Sequence, residues 1–370
     1  MQTSEILARF NIRAFAVGHI FHPVQTDLNG NIRPVFRRVS IRHPMRLNAM
    51  LLDYSNFIAP SRDQWSRAGS VPFAIEEACE VDVELSGPDH TVVFQGNPGR
   101  ISVALHAVRI MQKALDVNDG LVVTIRHETD RLHVGLGSSP TLQSAIAYAV
   151  NVLYGSRIPS AALVRYLISN YGEEIPGDDN HLIPVQAMGA AAAVGLQGGG
   201  MLVLSGYATT IARMEIPKTY KVVIATPRYG YHKDAATELS KDIPTYRILR
   251  GVSSSRKHRI AYDVLNRMIP AMIDGNLREV GAVIEYNRLS DKQIERYDAR
   301  YPEFTGMPRV LRDLYRDGAA DVVSISSTGP TLFALTTSPL SVFRSLEIGG
   351  QMEIFVTTPN NAGAVVTKWS

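Results

Sequence analysis

The chain has 370 residues, 45% of them hydrophobic, 20% charged, with a formal net charge of +3, enough apolar material for one large domain or two joined lobes and too little polar low-complexity sequence for disorder. Its mild basicity is scattered apart from short clusters such as Arg37-Arg38 and Arg256-Lys257-His258, so a small phosphorylated ligand is expected as partner rather than nucleic acid. The single cysteine, Cys79, excludes an intramolecular disulfide and a cysteine zinc cluster, and with no cationic-then-apolar leader and no run near the ~20 apolar residues of a membrane span, a cytoplasmic protein without a membrane partner is expected.

In chain order, Phe15 to Val24, the turn Asp27-Leu28-Asn29-Gly30-Asn31 and Ile32 to Ile41 predict an N-terminal β-hairpin, because Asn-Gly takes the positive φ of a tight turn. Met45 to Tyr54, a Ser/Arg/Gly-rich loop, and strands at Cys79 to Leu85 and Val92 to Gln95 follow. Ile101 to Leu115 reads as a helix, since Ala104, Ala107, Val108, Met111 and Leu115 recur at three- and four-residue steps. Leu121 to His127 is a β-branched strand. Leu132-His133-Val134 then leads through Gly-Leu-Gly-Ser-Ser into a helix over Leu142 to Leu153. In the second half, Met201 to Leu204 and Tyr220 to Ala225 read as strands. Ala261 to Ile273 and Leu277 to Leu289 read as helices parted at Asp274-Gly275-Asn276, with Pro270 marking a kink or break. Val310 to Arg316 is helical; Val322 to Ile325, Thr331 to Thr336 and Gln351 to Val356 are strands. No repeated βα unit runs through the chain, so the pattern is a mixed α+β fold of two lobes and not a parallel Rossmann sheet.

Two segments carry chemistry. In Gly135-Leu136-Gly137-Ser138-Ser139 the glycines let the backbone approach an anion, the hydroxyls can donate to phosphate oxygens, and the following helix aims unpaired N–H groups at the same point. The other reading is an ordinary Gly-Ser turn. Ser326-Ser327-Thr328-Gly329-Pro330-Thr331 leads into an apolar strand and, taken alone, is a β-turn. The histidines show no His-x-x-x-His or His-Glu-x-x-His, so no metal ligand of the protein is assigned. His133, beside the loop, reads either as a phosphate contact or as structural.

Together the two segments resemble the second and third motifs of the GHMP kinase superfamily. Within it the chain is most similar to β-ribofuranosylaminobenzene 5′-phosphate synthases. Arg46-Leu47-Asn48-Ala49-Met50-Leu51-Leu52-Asp53 resembles that family's Arg-Ile-His and Leu-x-Asp opening, and Val71-Pro72-Phe73-Ala74-Ile75-Glu76 its lead into Phe-Ala-Leu-Glu. His133 to Ser138 is similar to its His-x-Gly-Leu-Gly-Ser, and Ile269-Pro270-Ala271 through Asp274-Gly275-Asn276 to its Leu-Pro-Ala and Glu-Gly-Asp helix pair. Ser326-Ser327 with Gly329-Pro330-Thr331 is similar to its Ser-Ser-x-Gly-Pro-Thr. The resemblance covers about Pro44 to Leu335.

It implies a ribosomal protein S5-like lobe over 44–215 and a ferredoxin-like lobe over 216–370, and leaves the hairpin extension 1–43 unexplained; a homodimer is expected. It implies transfer from phosphoribosyl diphosphate to 4-aminobenzoate or 4-hydroxybenzoate, with loss of carbon dioxide and pyrophosphate, in methanopterin-type cofactor synthesis. Arg46, Asp53 and His133 would be the catalytic residues. Gly135, Leu136, Gly137, Ser138 and Ser139, closed over by Ser326, Ser327, Gly329 and Thr331, would hold phosphate, with Mg²⁺ as cofactor. An ATP-dependent small-molecule kinase and a non-catalytic nucleotide- or partner-binding paralogue are the alternatives. The sequence departs from the family at Asn48, where the synthases have histidine, at Thr328, where they have an aromatic residue, and at Met188 to Gly200. There Ala192 falls where many GHMP kinases place the Asp that acts as base. Asp178, Asp179 and His181 either replace that Asp or form a solvated turn.

Overall fold

The computed structural model describes residues 3–9, 11–28, 30–53, 68–87, 90–96, 100–127, 129, 131–185, 187–228, 237, 240, 256–347 and 352–370. After helix α1 (Thr3–Arg9) and the short β1 (Phe15–Ala16) come β2 (Arg38–Leu51), β3 (Ser70–Gly87), β4 (Val92–Gly96), α2 (Ile101–Leu115) and β5 (Gly120–His127). Next are α3 (Ser138–Leu153), α4 (Ser160–Ser169), the pair β6 (Gly172–Ile175) and β7 (Asp178–Pro184), α5 (Ala190–Leu196), β8 (Met201–Leu204) and β9 (Thr210–Met214). β2, β3, β5 and β4 lie side by side in a seven-stranded sheet that β8 and β9 extend from β3. The helical stripe read from the sequence is the buried face of α2: Ala104, Ala107, Val108, Met111 and Leu115 pack with Val81, Val123, Leu142 and Ile146 in one core. Asp116, left-handed at φ 52°, ends that helix.

The second lobe holds β10 (Lys221–Pro227), a helix α6 over 256–273, α7 (Leu277–Arg288), α8 (Asp291–Arg300), α9 (Met307–Arg316), β11 (Val322–Ile325), β12 (Leu332–Thr336), α10 (Pro339–Glu347) and β13 (Met352–Thr357). Its sheet runs β11-β12-β10-β13, antiparallel throughout, the strand order of a ferredoxin-like lobe. Pro270 does not break α6: a π-helical turn at Val264–Met268 precedes it and accommodates its missing N–H donor. Asn276 caps α7 by accepting from the Glu279 N–H at 3.1 Å.

Two expectations need correction. The predicted hairpin does not form: β1 pairs with β7, Phe15 opposite Leu182, while β2 pairs with β3 and with the last strand, β14 (Val365–Trp369); Asn29 of the proposed turn lies outside the described residues. An isolated two-stranded hairpin gains little in water, whereas Phe15 pairing with β7 is only 4% exposed. The boundary at 216–370 must also give up β14, which returns to the first lobe's sheet beside β2.

The lobes share a core. Leu47, Phe73, Val134 and Leu136 from the first pack with Ile224, Met268, Ile284 and Phe333 from the second. Past Arg42 every residue of β2 is buried, the polar His43, Arg46 and Asn48 included, and Leu47 lies in that shared core. No helix of the described residues is long and apolar enough to cross a membrane.

Candidate active site

Residues 131–137 carry no strand; His133 itself is at φ 54°. The expected order of helix, strand, glycine loop and helix is present as α2, β5, this turn and α3. α3 starts at Ser138, directly after Gly137, so the first-turn N–H groups open onto the loop. Gly135 and Gly137 have φ of +104° and +74°. A Cβ on Gly135 would stand 2.8 Å from the Ser326 carbonyl oxygen, and one on Gly137 2.7 Å from Arg46 Nε. Both glycines are therefore required by geometry as well as by φ.

Hydrogen bonds knit the two motifs together. The Gly135 carbonyl accepts from Arg46 Nη1 at 2.8 Å and from Ser326 Oγ at 2.6 Å. The Thr331 N–H donates to the Val134 carbonyl at 3.1 Å and the Ser327 N–H to that of Asn48 at 2.9 Å. Arg46 is 9% exposed and its Nε has no protein partner. Burial lowers its pKa to about 10, so it stays cationic at neutral pH.

Around this loop lies a cavity. Of the residues singled out from the sequence, Arg46, His133, Gly135, Gly137, Ser138, Ser139, Ser327 and Gly329 line it, with Thr328 and Ala192. Leu136 does not: it is 2% exposed, in the core between the lobes. Ser326 and Thr331 are wholly buried behind the wall, Thr331 Oγ1 donating to Thr226 Oγ1 at 2.9 Å. Asp53 lies two residues past the end of β2, its N–H donating to the Ala68 carbonyl at 2.8 Å, and it is not part of the lining. Asp178 and His181 are on the outer end of the β6–β7 hairpin, engaged with each other at 2.9 Å, and with Asp179 they stand off the cavity. They begin β7 directly after the turn at Pro176-Gly177, outside the cavity lining, where Ala192 sits without them.

The structure adds an acidic arm that sequence reasoning missed. β6 brings Tyr171, Glu173 and Glu174 to the loop, Tyr171 and Glu173 in the lining. His133 Nε2 is 2.6 Å from Glu174 Oε1, and the Tyr171 hydroxyl donates to Glu173 Oε1. Arg100, 2% exposed, donates from Nη1 to Ser139 Oγ at 2.8 Å, while Ser139 also hydrogen-bonds Glu173. Burial, reinforced by the Glu174 charge, raises the Glu173 pKa. Burial works against the charge of Glu174 as well, but the His133 imidazole outweighs it and holds Glu174 below the usual carboxylate range. For His133, likewise, burial opposes protonation and the two glutamates overcome it, raising its pKa. Ligand atoms of His133, Glu173 and Glu174 lie within 4.8 Å of one another, and Oε2 of each glutamate is buried without a protein partner. No motif marks them in the sequence: in Tyr171-Gly172-Glu173-Glu174-Ile175-Pro176-Gly177 the signal is two adjacent acids before Pro-Gly.

A glycine loop opening a helix between two α+β lobes, closed over by a Ser/Gly-Pro-Thr turn, is the arrangement of the GHMP kinase superfamily, and the chain has that fold. No family model matches it. Its sequence is similar to the β-ribofuranosylphenol 5′-phosphate synthase of Archaeoglobus fulgidus, at 23% identity over 356 residues covering 88% of this chain and 98% of that protein. Among solved structures, the homoserine kinase of Cytophaga hutchinsonii matches with a TM-score of 0.59 at 16% identity, covering 92% of this chain and 100% of that one. The mevalonate diphosphate decarboxylase of Staphylococcus aureus matches at 0.61 with 12% identity, covering 90% and 99%. The mevalonate kinase of L. major matches at 0.57 with 14% identity, covering 90% and 100%.

Proposed function

We propose that this enzyme transfers a phosphoribosyl group from phosphoribosyl diphosphate to an aromatic acid, releasing carbon dioxide and pyrophosphate. The observation that carries the reading is Ala192. It lines the cavity beside the loop and, counted back from Gly199-Gly200, falls where many GHMP kinases use an Asp; an alanine cannot take a proton from an acceptor hydroxyl. The archaeal relative supports the same chemistry by its name, and its phenol product favours 4-hydroxybenzoate over 4-aminobenzoate.

In this reading the bond between the anomeric carbon and the diphosphate oxygen breaks, its electron pair leaving with pyrophosphate. The ring carbon bearing the carboxylate forms the new carbon–carbon bond. The carboxylate then departs as carbon dioxide, and its bonding pair restores the aromatic ring. No hydroxyl nucleophile has to be deprotonated for the carbon–carbon bond to form, so the chain's task is to hold charge. The first-turn N–H groups of α3, Ser138 and the Arg46 guanidinium would stabilise the departing diphosphate. Leu167, Ile168, Val185 and Met188, on the cavity's apolar side, would receive the ring. His133, Glu173 and Glu174 fit a divalent cation by the spacing of their ligand atoms and by the two unpartnered carboxylate oxygens. We assign Mg²⁺ to them; when bound it adds positive charge beside the diphosphate.

The test follows two products with phosphoribosyl diphosphate, Mg²⁺ and 4-hydroxybenzoate in one reaction, and ATP with homoserine or mevalonate in the other. Pyrophosphate release in the first with no ADP in the second is expected. ADP formation alone would establish the kinase reading, which Glu173, a carboxylate in the same cavity, favours as a substitute base. Silence in both would refute each.

A further inference from the structure

We propose that the segment 12–24 is a positioning element of the active site, a strap that fixes the acidic arm on β6 and so sets the geometry of Glu173 and Glu174. The inference rests on the reading of the cavity as a diphosphate site. The segment precedes the stretch that resembles the synthases, and no step of the proposed reaction uses it. Yet it is tied at four points to the residues that flank the arm.

The first tie is strand pairing. β1 makes the third strand of the β1-β7-β6 sheet, and the Val17 N–H extends the pairing by donating to the Asn180 carbonyl at 2.8 Å. The second is packing. The ring of Phe15 lies against Gly172, where a Cβ would stand 2.5 Å from its Cζ, so the strap covers the backbone between Tyr171 and Glu173. Phe15 is held in turn by Phe21 and His106, with ring centroids 4.8 and 5.5 Å away. The third is Asn170, the residue before Tyr171. It is fully buried, and its Oδ1 accepts from the N–H groups of Phe21 at 2.7 Å and His22 at 3.1 Å. Its Nδ2 donates to the His22 carbonyl at 2.9 Å. The fourth is His106 on α2, which bridges strap and arm: Nδ1 accepts from the Gly18 N–H at 2.9 Å, and Nε2 is 2.6 Å from the Asn170 carbonyl. Burial lowers the His106 pKa to about 4, so the bridge is a neutral imidazole, accepting at Nδ1 and donating at Nε2 to that carbonyl, across the physiological range.

A two-stranded arm of four and seven residues has little intrinsic stability. The third strand, the Phe15 plug and the Asn170 clamp keep it in one position. The carboxylates themselves are held by Tyr171, Ser139, His133 and a backbone N–H at Glu174.

The experiment measures binding of inorganic pyrophosphate in the presence of Mg²⁺ by titration calorimetry, alongside thermal unfolding. Phe15→Ala is expected to weaken pyrophosphate at least tenfold, and Phe15→Leu to return it to within about threefold of the unaltered chain. Leu346→Ala, a deletion of comparable burial at 1% exposure in the second lobe, should lower the melting temperature without touching affinity. Val17→Pro, which deletes only one strap hydrogen bond, replaces Phe15→Ala if that variant fails to fold, with a smaller loss expected. Unchanged affinity in a folded Phe15→Ala or Val17→Pro protein overturns the strap. An unaltered chain that does not bind pyrophosphate overturns the diphosphate reading itself, and the strap with it.

Discussion

Gly137→Ala is the sharpest probe of the phosphate loop. At φ +74° a side chain costs about 1 kcal/mol or more in backbone strain alone. The new methyl group would also stand 2.7 Å from Arg46 Nε and 3.0 Å from its Cζ, so the guanidinium must move. Moving it breaks the 2.8 Å bond to the Gly135 carbonyl, a charge-assisted bond of about 2 kcal/mol. The sum, about 3 kcal/mol, corresponds to ~4 °C in melting temperature for a chain of this length at roughly 2.1 cal/mol/K per residue. Loss of Arg46 from its position and distortion of the N–H cradle should weaken Mg-pyrophosphate at least tenfold. Gly275→Ala is the control: its φ is +71°, but nothing lies within 4 Å of the added Cβ. It should show the backbone cost alone and unaltered affinity. If calorimetry finds Gly137→Ala binding pyrophosphate as tightly as the unaltered chain, the loop is not an anion cradle. If its melting temperature falls no further than that of Gly275→Ala, the Arg46 contact is not what constrains this glycine.

Three further outcomes are expected. Glu174→Gln removes the partner of His133. The His133 pKa is raised in the fold and that of Glu174 is lowered, so the pair stabilises above the ordinary carboxylate pKa and is lost as pH rises through the elevated histidine pKa. The deficit of the variant, about 2 kcal/mol by urea unfolding, should be largest between the ordinary carboxylate and histidine pKa values and shrink as pH rises through the raised His133 pKa; a deficit that grows with pH contradicts the pairing. Arg100→Met leaves Ser139 Oγ and the acidic arm without the buried cation, so Mg-pyrophosphate should weaken about tenfold, and equal affinity would remove Arg100 from the site. Gly195→Ala drives its Cβ into the ring of His43, which is fully buried; about 3 kcal/mol is expected, and a variant within 0.5 kcal/mol in urea unfolding would refute the packing.

Local patterns settled much of the fold. The buried stripe of α2 follows from the three- and four-residue spacing of its apolar side chains, and the α7 start from Asn276, because periodicity and capping act over a few residues. The same holds for the phosphate loop: Gly135 and Gly137 advertise positive φ. Even the meeting of that loop with the Ser326 turn, 191 residues apart, was legible as a resemblance of two motifs, although neither motif alone states it.

What the sequence by itself determined about this protein was thus its α+β class, its glycine loop and the missing carboxylate at Ala192. Only the tertiary structure decided which side chains share the cavity. Leu136 and Thr331 sit inside the two motifs yet are buried away from the cavity, because successive side chains leave a turning backbone in different directions. Glu174, on the β6–β7 hairpin, reaches His133 across 41 residues, and β1 adds a third strand to that hairpin with Phe15 packed on Gly172. Contacts of that separation depend on how whole elements pack against one another, and no local propensity encodes them.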